Sequence, residues 1–215
     1  MKRWSILDGV WARHALTLTV MALPRIVPLR PVLARVVPRG REWVYEPKLD
    51  GFRGMLYVEK GRGRFYSKTR NSMARFRDLA EALARGMAGR DAILDGEIVV
   101  MGEGGPDFAA LMGNRGRPAY AAFDLLWLDG RDLRDVPFWR RKRMLRKLAA
   151  GSAISYVEHT DDPRLFDAAL TMDLEGIIAK RRSDPYAPET EWVKIKNRDY
   201  SQNEGRSELF GRWPS

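Results

Sequence analysis

Apolar residues recur along this chain in two periods, and the switches between them mark its elements. Phe76, Leu79, Ala80, Leu83, Ala84 and Met87 share one face at helical spacing, which predicts a helix over 73 to 87 with Asn71 or Ser72 as its cap. Ahead of it, the runs 42 to 48, 53 to 60 and 63 to 67 are strand-like, and "KGRG" suits a hairpin turn between the last two. "AILDGEIVVM" (92 to 101) predicts a strand pair or one bent strand, "DFAALMG" a short helix, and "AYAAFDLLWLDG" (119 to 130) a buried strand closed by an Asp-Gly turn. A basic helix over 138 to 149 follows, then one from Pro163 to Met172 with Asp162 as cap. "LEGIIAKR" (174 to 181) and "EWVKIKN" (191 to 197) predict the last strands. Residues 24 to 40 carry four prolines and no acid, which predicts an extended lead-in on the surface, and the chain after 198 is polar.

Strand and helix patterns are mixed without strict alternation, so an α+β domain with antiparallel sheets fits better than a doubly wound parallel sheet. No repeat or linker divides the chain. Residues 1 to 23 fit nothing that follows them, and Met21 is an alternative start. Their apolar run "ALTLTVMALP" is too short to span a bilayer. It follows "MKRWS" as in a signal peptide but lacks a small-residue cleavage site, so a cytoplasmic protein is expected.

Composition narrows the chemistry. With 215 residues, 45% of them hydrophobic, and seven Trp, the chain is long enough for a sizeable core. The absence of cysteine excludes disulfides, thiolate zinc sites and thiol nucleophiles. With only His14 and His159, a histidine metal site or a Ser-His-Asp triad is disfavoured. Chemistry must therefore run on Lys, Arg, Asp and Glu. A net charge of +10 favours a polyanionic partner, nucleic acid above all.

One lysine is oddly placed. In "YEPKLDGFRG" (45 to 54), Lys48 sits between strand-like flanks, with Asp50 and Arg53 close by and Gly51 allowing close backbone approach to a ligand. A lysine becomes a nucleophile when burial or neighbouring cations depress its pKa. If the strand runs on through 50, Glu46, Lys48 and Asp50 share a face. On spacing alone the simpler reading is a surface strand with a salt-bridged Lys–Asp pair.

"KLDGFR" resembles the K-x-D-G-x-R signature of the covalent nucleotidyltransferases: ATP-dependent DNA ligases, RNA ligases and mRNA capping enzymes. "SKTRN" (67 to 71), "DGEIV" (95 to 99), "AFDLLWLDG" (122 to 130), "LEGIIAKR" and "WVKIKN" (192 to 197) follow in the family's order. The resemblance runs from 24 to 200 and is nearest to bacterial ATP-dependent DNA ligases of the repair type. It implies an α+β nucleotidyltransferase (ATP-grasp-like) domain of two antiparallel sheets flanked by helices around a nucleotide cleft. Lys48 would attack the α-phosphate of ATP and carry AMP. Glu46 would lie beside the adenine, Arg53 would meet the ribose or phosphates, and Glu97 would hold the ribose hydroxyl and help bind metal. Phe123 would stack on the adenine, although on pattern alone it is a core Phe. Glu175 would hold Mg²⁺ or Mn²⁺, and Lys194 and Lys196, alternating along one strand, would meet the triphosphate. Lys180 is either a phosphate contact or a surface residue.

Two departures stand out. The family usually has Ser-Arg where this chain has Ser67-Lys68, so either Lys68 serves as a point charge or Arg70 moves in. Only "RDYSQNEGRSELFGRWPS" follows "WVKIKN", too short for the OB-fold domain of most DNA ligases. The expected organisation is therefore an unassigned segment 1 to 23, an adenylation domain over 24 to 200 and a polar tail over 201 to 215. Grip on nicked double-stranded DNA would fall to Arg140, Arg141, Arg143, Arg146 and Lys147 on the basic helix, or to a repair protein acting in trans. The resemblance implies a monomeric ATP-dependent DNA ligase that seals nicks in repair or recombination. The alternatives are an RNA ligase and a non-catalytic nucleic-acid-binding remnant.

Overall fold

The computed structural model describes residues 23–202. The expectations for the N-terminal segment up to 22, and for the tail beyond 202, fall outside the described residues.

Two sheets face each other. The smaller has four strands in the order β1 (Val32–Ala34), β11 (Val193–Lys196), β10 (Gly176–Arg181) and β2 (Trp43–Pro47). The larger runs β4 (Arg62–Tyr66), β3 (Phe52–Glu59), β5 (Ala92–Gly102), β7 (Pro118–Leu128) and β8 (Arg131–Asp132). Two short strands join its path, β6 (Gly105–Pro106) beside β5 and β9 (Ser155–Tyr156) beside β7. Most pairs are antiparallel, as expected, but β1–β11 and β7–β9 are parallel.

The helices are α1 (Arg77–Arg85), α2 (Phe108–Met112), α3 (Phe138–Ala149) and α4 (Leu165–Thr171). Residues of α1, α2 and α3 join one face of the large sheet in a core around Leu56, Phe65, Leu83, Leu94, Leu125 and Leu145. The α4 helix covers the small sheet around Tyr45, Ile177 and Ile195. A third cluster, with Met55, Ile93, Tyr186 and Trp192 at its centre, closes the opposite face of the large sheet.

Local chemistry explains most boundaries. Lys60 and Gly61 both have positive φ, at 50° and 73°, which gives the tight turn that a twisted hairpin needs between β3 and β4. Asp129-Gly130 does the same after β7. The 92-to-101 segment is one bent strand. Its pairing with β7 shifts register twice, so that Phe123 and Leu126 are the extra residues of two bulges.

Four expectations need correction. The helix begins later than 73, because Met73 N donates to Phe65 O and Ser72 bridges Tyr66; with this backbone paired to β4, neither Asn71 nor Ser72 can cap. Ala74–Phe76 form a 3-10 turn instead. The fourth helix begins at Leu165, although Asp162 does accept from Arg164 N and closes the turn before it. The Pro-rich lead-in is not wholly a surface coil, since Val32–Ala34 pairs with β11 and Ile26 is buried. The start of the polar tail folds back: Tyr200 is buried with its hydroxyl on Asp50, and Gln202 bonds Phe108 N and Pro106 O.

Candidate functional site

Strand β2 stops at Pro47, and Lys48 to Asp50 cross from the small sheet to the large one. The shared-face arrangement of Glu46, Lys48 and Asp50 therefore does not form. Glu46 and Lys48 line the space between the sheets, while Asp50 is buried and accepts from Tyr200. Gly51 lets the crossing pack closely, since a Cβ there would stand 2.2 Å from Ile98 O, and it also lines the space between the sheets.

That space is a cavity of about 430 Å³. From the small sheet it receives Glu46, Ile178 and Lys194, which lie in one row because Ile178 pairs with Glu46 on one side and Lys194 on the other. From the large sheet it receives Arg53, Glu97 and Phe123; Arg53 and Glu97 are direct cross-strand partners. Lys48 and Lys68 complete the ring of sequence-predicted residues on its wall.

Two hydrogen bonds hold Lys48. Its amide donates to Gly176 O at 2.9 Å, and its Nζ donates to the buried Glu175 carboxylate. Gly176 has φ of 134°, and a Cβ on it would meet Ile195 O at 2.0 Å, so the strand crossing there requires glycine. Lys196 approaches the other Glu175 oxygen at 3.6 Å. Glu175 and Lys196 thus reach the cavity through Lys48.

Glu46 is not a solvated strand acid. It is 2% exposed and lies between the buried ammonium groups of Lys142, at 2.7 Å, and Lys180, at 2.6 Å. Lys180 is no surface residue either. Its Nζ is 3.9 Å from the Trp192 ring centroid and 4.5 Å from that of Phe123, and burial lowers its pKa. The Phe123 bulge turns that ring into the cavity, where it meets Trp192 edge to face at 5.9 Å. The buried Trp192 Nε1–H has no hydrogen-bond partner among the described residues, the kind of orphan donor that a ligand acceptor satisfies.

Electrostatics divide the cavity. Arg53 is clamped by Asp95, which also accepts from Tyr186. Burial alone would lower the Arg53 pKa, but the Asp95 charge and hydrogen bonds outweigh it, so Arg53 is a fixed cation. Burial pushes the Glu97 carboxyl up to about 8 against the pull of Arg53 and Lys48, so it holds a proton at neutral pH. Lys194 is lowered by burial and then by its neighbours Lys196 and Lys48. No group of three or more metal-ligating side chains occurs among the described residues. Two carboxylates, Glu97 and Glu175, fit Mg²⁺ only where substrate phosphates supply further oxygens, its usual arrangement.

Lys68 and Arg70 point to different places. Ser67 caps a tight turn, taking Asn71 N on its hydroxyl and Arg70 N on its carbonyl, with Arg70 at φ of 68°. Lys68 faces the cavity and Arg70 a neighbouring one.

The basic helix requires a correction. Arg141 is fully buried, doubly bonded to Asp124 at 2.8 and 2.9 Å, and cannot touch a nucleic acid. Its neighbour Lys142 is buried against Glu46 and Val157 O. These two cations pin α3 to both sheets. Arg146 is exposed but paired with Glu158, which leaves Arg140, Arg143 and Lys147 facing outward. Sequence reasoning missed Asp95, Tyr186, Trp192 and the Lys142 contact. Asp95 and Trp192 lie inside recognised motifs, whereas nothing local marks Tyr186 or Lys142.

A model of the ATP dependent DNA ligase domain family matches residues 30–196. The multifunctional non-homologous end joining protein LigD of Pseudomonas aeruginosa is 37% identical over 185 residues, covering 78% of this chain and 22% of that protein. A probable DNA ligase of Dictyoglomus thermophilum is 31% identical over 201 residues, covering 79% and 34%. The chain thus spans between about a fifth and a third of these relatives' lengths. Among solved structures, the ligase domain from M. tuberculosis LigD aligns with a TM-score of 0.72 at 32% identity, covering 79% of this chain and 59% of that one. A mycobacterial DNA ligase D complexed with ATP and MES aligns at 0.69 and 32%, covering 80% and 60%.

Proposed function

This chain belongs to the ATP dependent DNA ligase domain family, and on that premise we propose that it is the adenylating domain of a DNA ligase that acts in end-joining repair. Lys48 Nζ gives up a proton and attacks the α-phosphorus of ATP. The N–P bond forms as the bond to pyrophosphate breaks, leaving AMP on Lys48. A DNA 5′-phosphate then takes the AMP and frees Lys48, and a 3′-hydroxyl displaces AMP to close the strand. The domain's part is positioning and electrostatics.

The observation that carries this reading is the Lys48 seat: an amine fixed at its backbone by Gly176 and at its tip by Glu175, inside a cavity with aromatic and cationic walls. Phe123 and Trp192 suit a base, with Glu46 and Lys180 at its edge. Arg53 and Glu97 suit the ribose, and Lys68 and Lys194 the phosphates, with Lys196 behind them on Glu175. Glu97 and Glu175 would hold Mg²⁺ or Mn²⁺ together with phosphate oxygens, and a divalent ion there would offset charge on the phosphates. Residues 24 to 200 form the working unit, and nicked or broken duplex DNA is the substrate. Among the described residues, no helix is long and apolar enough to cross a membrane.

Incubation with α-labelled ATP and Mg²⁺, followed by denaturing electrophoresis, tests the reading. Label on the wild-type chain that acid removes and base does not supports it. Absence of label, or label persisting in Lys48→Ala, overturns it.

A further inference from the structure

Beside the Lys48 cavity lies a second one, of about 630 Å³, on the same face of the large sheet. Tyr57 and Tyr66 form part of its floor, packed edge to face at 5.1 Å. Its walls carry Arg25, Lys60, Arg62, Arg64 and Arg70, against Glu59 as the one acid among the described lining residues.

The placement of these cations is not accidental to the fold. Residues 62, 64 and 66 of β4 point to one side, and the other side, with Gly63 and Phe65, packs on α1. Arg25 arrives from the lead-in, which Tyr57 anchors by accepting from Ile26 N. Arg70 is turned into the cavity by the left-handed backbone that the Ser67 turn holds. Arg62 is 76% exposed and within 3.7 Å of Glu81, a weak pair; among the described residues Arg25, Lys60, Arg64 and Arg70 form no ion pair. Ser67 lines both cavities, so the two are neighbours.

We propose that this second cavity binds unpaired nucleotides of a DNA strand next to the nucleotide-transfer site. This rests on the reading of the Lys48 cavity as that site. Cations around an aromatic floor are the combination that holds single strands, the charges tracking phosphates and the ring faces taking bases of any sequence. A concave pocket of this size admits one or two flipped-out or unpaired nucleotides but not the convex cylinder of a duplex. The end of a strand with an overhang would then be gripped within reach of the adenylate.

Binding of a short single-stranded oligo-dT and of a blunt duplex, each at several salt concentrations, tests the proposal. The wild type is compared with the Arg25→Gln, Arg62→Gln, Arg64→Gln triple variant. Each lost phosphate contact on a single strand lowers the slope of log affinity against log salt by about 0.7, so the triple variant should lose about two units for oligo-dT and little for the duplex. Tyr66→Leu, checked by thermal melting, should weaken oligo-dT binding roughly tenfold through lost stacking. An oligo-dT slope equal in both proteins, or equal losses for oligo-dT and duplex, overturns the proposal. AMP labelling of Lys48 without DNA is measured alongside and should match the wild type. A wild-type chain that takes no label strikes the ligase reading, whereas the slopes judge the cavity.

Discussion

Lys48 and Glu175 are 127 residues apart in the chain, yet the Lys48 ammonium donates to the Glu175 carboxylate while the Lys48 amide donates to Gly176 O. One strand end thereby fixes both ends of the lysine. Lys196 shares the same carboxylate, so Glu175 also sets the spacing between the Lys48 amine and a second ammonium.

Glu175→Gln keeps the shape but removes the charge that orients the amine. AMP transfer to Lys48 should fall roughly a hundredfold, while stability falls by only about 1–3 kcal/mol. Single-turnover labelling beside thermal melts separates the two. A rate loss no larger than the unfolded fraction explains would make Glu175 a structural residue alone.

Glu97 makes stability depend on pH in an unusual direction. Its carboxyl titrates near 4.5 when unfolded and near 8 in the fold. Between those values the folded state holds the extra proton, so its contribution is present below the lower value and is lost as pH rises toward the upper one. The melting temperature of the wild type should therefore drop relative to Glu97→Gln as pH rises through that window. Parallel melting curves across it would contradict the assignment.

Phe123→Leu retains apolar volume but not the ring face. ATP affinity should weaken roughly tenfold if the ring stacks on a base, with a melt close to wild type. Equilibrium binding of ATP measures this, and unchanged affinity would return Phe123 to the role of a packing residue.

Arg140 and Arg141 are adjacent but predict opposite results. Arg141→Gln leaves Asp124 buried without its partner and should cost about 3–5 kcal/mol of stability. Arg140→Gln and Arg143→Gln should leave the melt unchanged, each lowering the salt slope of nicked-duplex binding by about one unit if α3 touches DNA. An unchanged slope in the latter pair, measured by titration at several salt concentrations, would mark the outer face of α3 as merely solvated.

The sequence by itself determined the α+β class, most strands, and the residue types that meet at the Lys48 cavity. Those features are local: period-2 and period-3.6 patterns follow from backbone geometry, and a motif keeps its reactive residue wherever it folds. Hence Lys48, Glu46, Arg53, Glu97, Phe123 and Lys194 were all legible, and all line one cavity. Tertiary structure alone decided which charges are available. Arg141 and Arg140 look alike on a basic helix, but only Arg141 faces Asp124 across 17 residues, and a buried carboxylate needs its cation. Lys180 and Lys142 converge on Glu46 from separate elements, and no spacing rule marks that meeting. Whether Lys68 or Arg70 faces the cavity turned on one left-handed residue in the Ser67 turn, which aims two cations of similar sequence position into two different cavities. Long-range packing sets burial, and burial sets which charges remain for chemistry.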